Sequence, residues 1–215
     1  MTPFSDEDIE YFGAKGDPRA FVTNLSDLHA RFDATNHVPI VRSVVHKLRR
    51  GRYPLARLDS MCRNIKIPAR FKRSYAEVAD GVPYLMPSQL VGTRPYGMKA
   101  LSVKQASDSS EYLLNFGELL LTTDGTVGRV HPVTKRMVGW FGSNNIARLS
   151  DSDTNIWFLY AFLSTPFGRH QIRKDIYGGV VDHISEDHIS SVLFVPKCLS
   201  RYRRRSGISF RGLLS

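Results

Sequence analysis

The side chains best suited to catalysis in this sequence are a few histidines and carboxylates. Asp182 and His183 are adjacent, as an acid and an imidazole in a hydrolase could be, but no G-x-S-x-G nucleophile motif accompanies them. His183 and His188 lie five positions apart, which is not a helical metal-binding spacing, and no H-E-x-x-H motif occurs. These histidines are interpreted as structural or ligand-facing.

Carboxylates that could hold a metal ion do not form a recognisable motif either. A nuclease needs clustered carboxylates for Mg²⁺, and the candidates here are Asp124, Glu118 and Asp182. Asp124 precedes Gly125, so a turn explains it better than a metal does. The sequence also lacks a phosphate-binding G-x-x-x-x-G-K-[ST] loop, a G-x-G-x-x-G motif and the signatures of methyltransferases. It predicts a protein without catalytic residues, cofactor or metal.

Basic residues are concentrated in two parts of the chain. The formal net charge is +10, yet residues 74–196 carry ten basic and twelve acidic side chains. Residues 31–73 carry twelve basic and two acidic side chains, and residues 197–215 carry six basic side chains and no acidic one. Such a run is either a solvated face or the site of a polyanion. Its density favours a polyanionic partner, because clustered cations repel one another.

The two cysteines, Cys62 and Cys198, are far apart and fit reduced thiols better than a disulfide framework. No apolar run approaches the roughly 20 residues that cross a bilayer. The acidic start, MTPFSDEDIEYF, lacks the layout of a signal peptide. We expect a soluble cytoplasmic protein with no membrane partner.

Local patterns predict the elements that would position these residues. Pro39 suits the first turn of a helix and Gly51 the position after its end, which predicts an amphipathic helix over 40–50 with a basic outer face. Its apolar face comprises Ile40, Val41, Val44, Val45 and Leu48. Residues 1–54 are interpreted as a lead-in and this helix.

Short β runs separated by turns follow over residues 55–149. The candidate strands are 81–85, 100–103, 117–123, 129–133 and 144–149, and Asp124-Gly125 marks a hairpin turn between two of them. Residues 155–164 are apolar nearly all round and predict a buried helix. The aromatic residues assigned to the core are Trp140, Trp157, Phe158, Tyr160 and Phe162.

Two further helices and a strand complete the pattern. Pro166 begins one helix, and Ser185 caps a short one before the final strand, VLFVP. The prediction is an α+β domain over 55–196, with a mixed, mostly antiparallel sheet and helices clustered in the C-terminal third. The basic tail over 197–215 has no helical or strand period and is interpreted as disordered, or as out-of-frame sequence after a truncation.

Several sequence blocks resemble the target recognition domain of one protein family, the specificity subunits of type I restriction–modification systems. The most specific blocks are GELLLTTDGTVG at 117–128 and YGGVVDHI at 177–184. Others are PARFKRSY, GVPYLMPSQL, WFGSNNIARL and YAFLSTPFGRHQI, in the family's order from about 31 to 196.

The resemblance implies recognition of double-stranded DNA within a complex that contains a methyltransferase subunit and, through it, a restriction subunit. Family members typically carry two recognition domains and long helices between and after them. This sequence has one such domain, and the arginine-rich tail stands where a long helix is expected. Three interpretations of the chain follow. It is a half-size subunit that could form a homodimer, or it is a fragment, or it is a truncated product.

Physical chemistry and the resemblance together divide the candidate DNA contacts into two groups. The expected phosphate contacts are Arg70, Lys72 and Arg73, with Tyr75 beside them and Arg129 and Arg148 after the turns. The expected contacts of the turns with bases are Gln89, Thr123, Asp124, Thr126, Ser143, Asn144, Asn145, Tyr177 and His183. We expect loss of the Arg73 side chain to weaken binding to all sequences, and loss of the Asn145 side chain to blur preference at one base pair.

Two other classes of function stay open from the residues alone. One is a metal-dependent nuclease or other DNA enzyme that uses Asp124, Glu118 or Asp182. The other is an RNA- or protein-binding module in which the basic helix over 40–50 contacts an acidic partner.

Overall fold

The computed structural model describes residue 37 and residues 39–91, 97–152, 155–176 and 182–196. The predictions for the lead-in before residue 37, for Tyr177 and its glycine-bearing loop, and for the tail over 197–215 lie outside the described residues. The predicted domain limits at residues 54 and 196 stay predictions.

The described part of the chain contains runs of short strands, with three of its α-helices consecutive near the C-terminal end. The strands are β1 (Ala56–Arg57), β2 (Cys62–Lys66), β3 (Tyr75–Ala76), β4 (Gly81–Leu85), β5 (Lys99–Ser102), β6 (Leu119–Thr122), β7 (Val130–Pro132), β8 (Phe141–Gly142), β9 (Ile146–Ser152) and β10 (Leu193–Phe194). The α-helices are α1 (Pro39–Arg49), α2 (Val103–Asp108), α3 (Ile156–Ser164), α4 (Pro166–Lys174) and α5 (Glu186–Ser190).

The strands form two four-stranded sheets and one short ribbon. The first sheet has the order β2-β9-β6-β7 and is antiparallel throughout, and the second has the order β3-β5-β4-β8 with one parallel pair, β4 and β8. β1 pairs with β10, which brings Ala56 opposite Phe194. The predicted α+β class with mostly antiparallel sheets is confirmed.

The predicted hairpin is β6 and β7, with Leu121 opposite Val130. Its connection runs from residue 123 to residue 129, which is wider than a two-residue turn, and contains the loop over 123–128. Gly125 and Gly128 both have positive φ, 68° and 82°, a conformation that glycine adopts without steric cost. Thr122 closes the loop, since its hydroxyl donates to the carbonyl of Thr126 and accepts from the amide of Arg129.

The core lies on both faces of the first sheet, because successive side chains of β6 point to opposite sides. Leu119 and Leu121 pack in a cluster with α3, α4 and β10, and Leu120 packs in another with Val133 and Met137. All three leucines are fully buried. The fixed position of β6 sets the loop that follows it.

Helix α1 confirms the prediction from its spacing. Ile40, Val41, Val44 and Leu48 are buried and pack against Phe167 of α4 and other apolar neighbours. His46, Arg49 and Arg50 are exposed on the other side, where cations near the helix end complement its dipole.

The later helices start where their sequence signals predict. Asn155 caps α3 by accepting from the amides of Trp157 and Phe158, and Pro166 occupies the first turn of α4. Ser185 caps α5, with His188 completing a capping box. One assignment to the core is wrong: Trp157 is 42% exposed, because α3 packs mainly through Leu159 and Leu163. Among the described residues, no helix combines the length and apolar character that a bilayer crossing requires.

Candidate nucleic-acid interface

An open cleft of about 530 Å³ gathers polar side chains from four separate parts of the chain. Its walls are residues 67–70, Thr123 with Asp124, Asn144, and residues 183–187. We refer to these residues as the cleft.

The wall over 67–70 follows β2 and is held at two backbone positions. The Glu186 carboxylate accepts from the amide of Ile67 at 2.5 Å. The hydroxyl of Tyr112 donates to the carbonyl of Ala69 at 3.1 Å. Burial, with the nearby Glu111 carboxylate, raises the pKa of Tyr112, so the hydroxyl keeps the proton that it donates.

The wall formed by Thr123 and Asp124 is tied to the segment over 182–184. The amide of Ile184 donates to the carbonyl of Thr123 at 3.1 Å, and the amide of Gly125 donates to the carbonyl of Asp182 at 3.1 Å. The imidazole Nδ1 of His183 also contacts the carboxylate of Asp124. These contacts fix the loop over 123–128 against a second segment, so its polar groups keep a defined direction.

Asn144 lies in a turn whose backbone is hydrogen-bonded to both four-stranded sheets or their adjoining loops. The amide of Ser143 donates to the carbonyl of Leu85 in β4 at 3.0 Å, and the amide of Thr123 donates to the carbonyl of Asn145 at 3.0 Å. The turn over 143–145 therefore joins the end of β4 to the end of β6. Its position depends on both sheets.

Arg73 lies next to this turn and contacts Asn144 directly. Its Nη2 donates to Asn144 Oδ1 at 3.0 Å, and its Nε donates to the hydroxyl of Tyr84 at 2.8 Å. The side chain is nevertheless exposed. Arg73 is thus fixed at the edge of the cleft.

Five of the predicted contact residues meet at the cleft. They are Arg70, Thr123, Asp124, Asn144 and His183. Asn145 lies in the same turn as Asn144, partly buried. Arg70 of the basic segment, Thr123 and Asp124 of the loop over 123–128, and Asn144 of the turn over 143–145 therefore line the same cleft.

Four other predicted contacts are exposed but are not among the residues that line the cleft. Lys72, Thr126 and Arg129 are exposed. Tyr75 is 52% exposed, and the ammonium of Lys99 lies 5.1 Å from its ring centroid. These positions are open to a large ligand.

Three predicted contacts instead stabilise the fold, and the interpretation of their side chains is corrected. Gln89 is buried, because its amide accepts from the backbone of Met86 and donates to the carbonyl of Gly97. Ser143 is buried beneath Tyr84, whose hydroxyl donates to its Oγ at 3.1 Å.

Arg148 is the third correction. Its guanidinium pairs with Glu118 at 2.5 Å and donates to the carbonyls of Glu111 and Leu113. With 12% of its side chain exposed, it is committed to this pair rather than to a phosphate. The same pair occupies Glu118, one of the three carboxylates that the nuclease alternative offers as a metal ligand.

Acidic residues of the cleft were missed as site residues. Glu186 and Asp187 line the cleft, whereas the sequence pattern indicated only the first turn of a capped helix. Because both residues are far from Asp124 along the chain, no local sequence pattern indicated that the fold would bring them into the same cleft. Within the described ranges, no group of three or more histidine, cysteine, aspartate or glutamate side chains could hold a metal ion.

The side chain of Thr123 is buried in the wall of the cleft. Its side chain is 2% exposed, and its Oγ1 has no hydrogen-bond partner among the described residues. Buried hydroxyls in native structures nearly always have a partner. Because this hydroxyl is buried in the wall of the cleft, a base contact by the Thr123 side chain would require the wall to move.

No family model matches the sequence, and no curated protein matches it. Solved structures do match its fold. The chain is similar to a chain of a type I R-M system studied for complex assembly and conformational transition, with a TM-score of 0.53 and 14% identity over 79% of this chain and 42% of that one. It is also similar to the HsdS subunit from Thermoanaerobacter tengcongensis, with a TM-score of 0.52 and 16% identity over 79% of this chain and 41% of that one.

The chain therefore spans about two fifths of the length of each of these proteins. Identities this low carry the fold alone. The resemblance noted in the sequence is confirmed at that level: over about four fifths of its length, this chain has the fold of a type I restriction–modification S subunit.

Proposed function

We propose that this chain recognises a short sequence of double-stranded DNA, as the specificity component or a half-size specificity component of a type I restriction–modification system. The observation that carries the proposal is the convergence of Arg70, Thr123, Asp124, Asn144 and His183 on one cleft. These residues come from four distant segments, and the shared fold supports the same assignment.

The charges around the cleft support a division between phosphate and base contacts. Asp124, Glu186 and Asp187 line the interior and would repel phosphate, whereas a carboxylate can accept a hydrogen bond from the amino group of cytosine. Arg70 lines the same cleft and, like Lys72 two positions later, is exposed, so both cations can contact the DNA backbone. On this proposal the DNA backbone follows the basic segment and base edges face the cleft.

The proposed partners follow from the same assignment. A specificity component without catalytic residues acts through a methyltransferase subunit and, by way of it, a restriction subunit. A chain with one recognition domain would read one half of a split site, so two copies could supply both halves. These assemblies are part of the proposal.

Selection of bound duplexes from a random pool at moderate salt tests the proposal. The expected result is one enriched motif of a few base pairs. An unenriched pool, or equal affinity for RNA and duplex DNA of the same sequence, would count against it. Cleavage of plasmid by the purified chain with Mg²⁺ would instead support the nuclease class.

A first prediction concerns the phosphate contacts. Lys72→Ala is expected to weaken binding to all DNA sequences by a similar factor, since a phosphate contact carries no base information. The slope of log K against log salt concentration should become shallower by about 0.9, the value for one released counterion. Fluorescence anisotropy titrations at several salt concentrations measure both quantities.

Arg136→Ala is the matched control for this prediction. Arg136 is exposed and carries the same charge, but it follows β7, which runs antiparallel to β6. It therefore lies at the opposite end of the hairpin from the loop over 123–128. An equal loss of slope in both variants would show a non-specific effect of net charge and remove Lys72 from the interface.

A further inference from the structure

The guanidinium of Arg73 is fixed by three neighbours although its side chain is exposed. Its Nε donates to the Tyr84 hydroxyl at 2.8 Å, and its Nη2 donates to Asn144 Oδ1 at 3.0 Å. Its Cζ also lies 5.6 Å from the ring centroid of Phe71 and 5.7 Å from that of Tyr84. An exposed arginine ordinarily keeps its rotamer freedom, so this one is oriented in advance.

The residues that hold Arg73 are themselves fixed. Tyr84 is fully buried, and its hydroxyl donates to Ser143 Oγ at 3.1 Å. Asn144 is 7% exposed, and its amide nitrogen donates to Asn145. Phe71 packs in the same aromatic cluster, 5.1 Å between its ring centroid and that of Phe141. The guanidinium therefore has a defined position relative to the turn over 143–145.

The two hydrogen bonds of Arg73 use one edge of the planar guanidinium, the edge formed by Nε and Nη2. Arginine has N–H donors in a rigid fork. The edge formed by Nη1 and Nη2 keeps its pair of parallel donors, and Arg73 makes no other hydrogen bond to a described residue. This free edge has the geometry that binds O6 and N7 of guanine in the major groove.

A phosphate contact does not require this arrangement. Phosphate accepts from a flexible cation in many orientations, whereas a bidentate contact with a base requires a donor pair of fixed direction. The fold commits a buried tyrosine and a buried asparagine to the direction of Arg73. Arg70 and Lys72 on either side have no such side-chain hydrogen bonds to the described residues, and they fit the phosphate role.

We propose that Arg73 is a specificity-determining residue that reads a guanine in the recognised sequence, and that Tyr84 and Asn144 are its positioning residues. This inference rests on the proposed function and replaces the sequence-independent role that the basic run alone suggested for Arg73. It predicts at least one G·C pair in the selected motif, at a position that Arg73 controls.

The experiment uses the selected duplex and a set in which each base pair is replaced in turn. Arg73→Lys keeps the charge and removes the fork. It is expected to reduce the preference for guanine at one position by about 5- to 150-fold, which corresponds to the discrimination of one bidentate contact. Preference at the other positions and the slope of affinity against salt should stay as in the wild-type chain.

Tyr84→Phe tests the positioning role. It removes the acceptor of Nε and is expected to lower the preference at the same position, by less than Arg73→Lys does. Asn145→Ala should change a different position, and thermal melting of each variant checks that it is folded. The conservative change at Arg73 on an exposed side chain leaves the core intact.

The outcomes separate this inference from the proposed function. If Arg73→Lys keeps every base preference, or Arg73→Ala weakens all duplexes equally with a shallower salt slope, Arg73 is a phosphate contact and the inference is wrong. If the wild-type chain enriches no motif, the proposed function itself fails. An enriched motif with a position controlled by Arg73 supports both.

Discussion

Arg148→Ala is expected to lower the free energy of unfolding by about 3–5 kcal/mol, the cost of leaving one member of a buried ion pair without its partner. Glu118 has 9% of its side chain exposed and pairs with Arg148 at 2.5 Å. Arg148 also donates to the carbonyls of Glu111 and Leu113, so the substitution removes one donor from each of these acceptors. Urea denaturation followed by circular dichroism measures the loss.

Two variants separate the cost of an unpaired charge from the cost of lost packing: Arg148→Met alone, and Arg148→Met combined with Glu118→Gln. Arg148→Met keeps an unbranched side chain, and Glu118→Gln removes the remaining charge. Because an apolar or neutral replacement of a whole buried pair is often tolerated, the double variant should be more stable than Arg148→Met alone. A single variant within about 1 kcal/mol of the wild type would show that the pair behaves as an exposed one.

Gly168→Ala is expected to be the second severe substitution, because the added methyl group meets backbone rather than a movable side chain. A Cβ at this position would clash with the Cα of Leu163 and would lie 2.8 Å from the carbonyl oxygen of Phe162. Helix α4 would have to move away from α3. Overpacking costs about 1–3 kcal/mol and occasionally more, and we expect the upper end of that range or beyond.

The effect should reach the cleft as well. Ile172 of α4 is fully buried and packs against Gly128 in the loop over 123–128. A Cβ placed on Gly128 would lie 3.1 Å from the Cγ2 of Ile172. A displaced α4 would therefore disturb this loop and, on the proposed function, lower the affinity for DNA. Arg169→Ala, at the next and exposed position of the same helix, is the control. Equal melting temperatures for the two variants would contradict the close approach of α3 and α4.

Local sequence patterns predicted the elements whose signals are contained within a few residues. The apolar spacing of α1, the hairpin of β6 and β7 and the cap at Ser185 all depend on neighbours in the chain. Their boundaries differ from the expected ones by a few residues, as with β6, which spans Leu119–Thr122 rather than residues 117–123. Such boundaries depend on tertiary packing that no local pattern contains.

The direction of a polar side chain could not be predicted in the same way. Three residues are of types that commonly contact DNA, but their side chains have hydrogen-bond partners within the fold. They are Gln89, Ser143 and Arg148. Arg148 and Glu118 meet only because β9 pairs with β6. The acidic lining of the cleft could not be predicted for the same reason. Glu186 accepts a hydrogen bond from the amide of Ile67, a residue far from it in the chain.

The ribbon of β1 and β10 places Ala56 beside Phe194, so the polypeptide enters and leaves the intervening body at neighbouring points. A unit with adjoining ends can be inserted into a larger protein, or exchanged for a related one, without stretching what flanks it. On the proposed function, an exchange between these two positions would replace the cleft and the loops around it together, so the recognised sequence would change in one step.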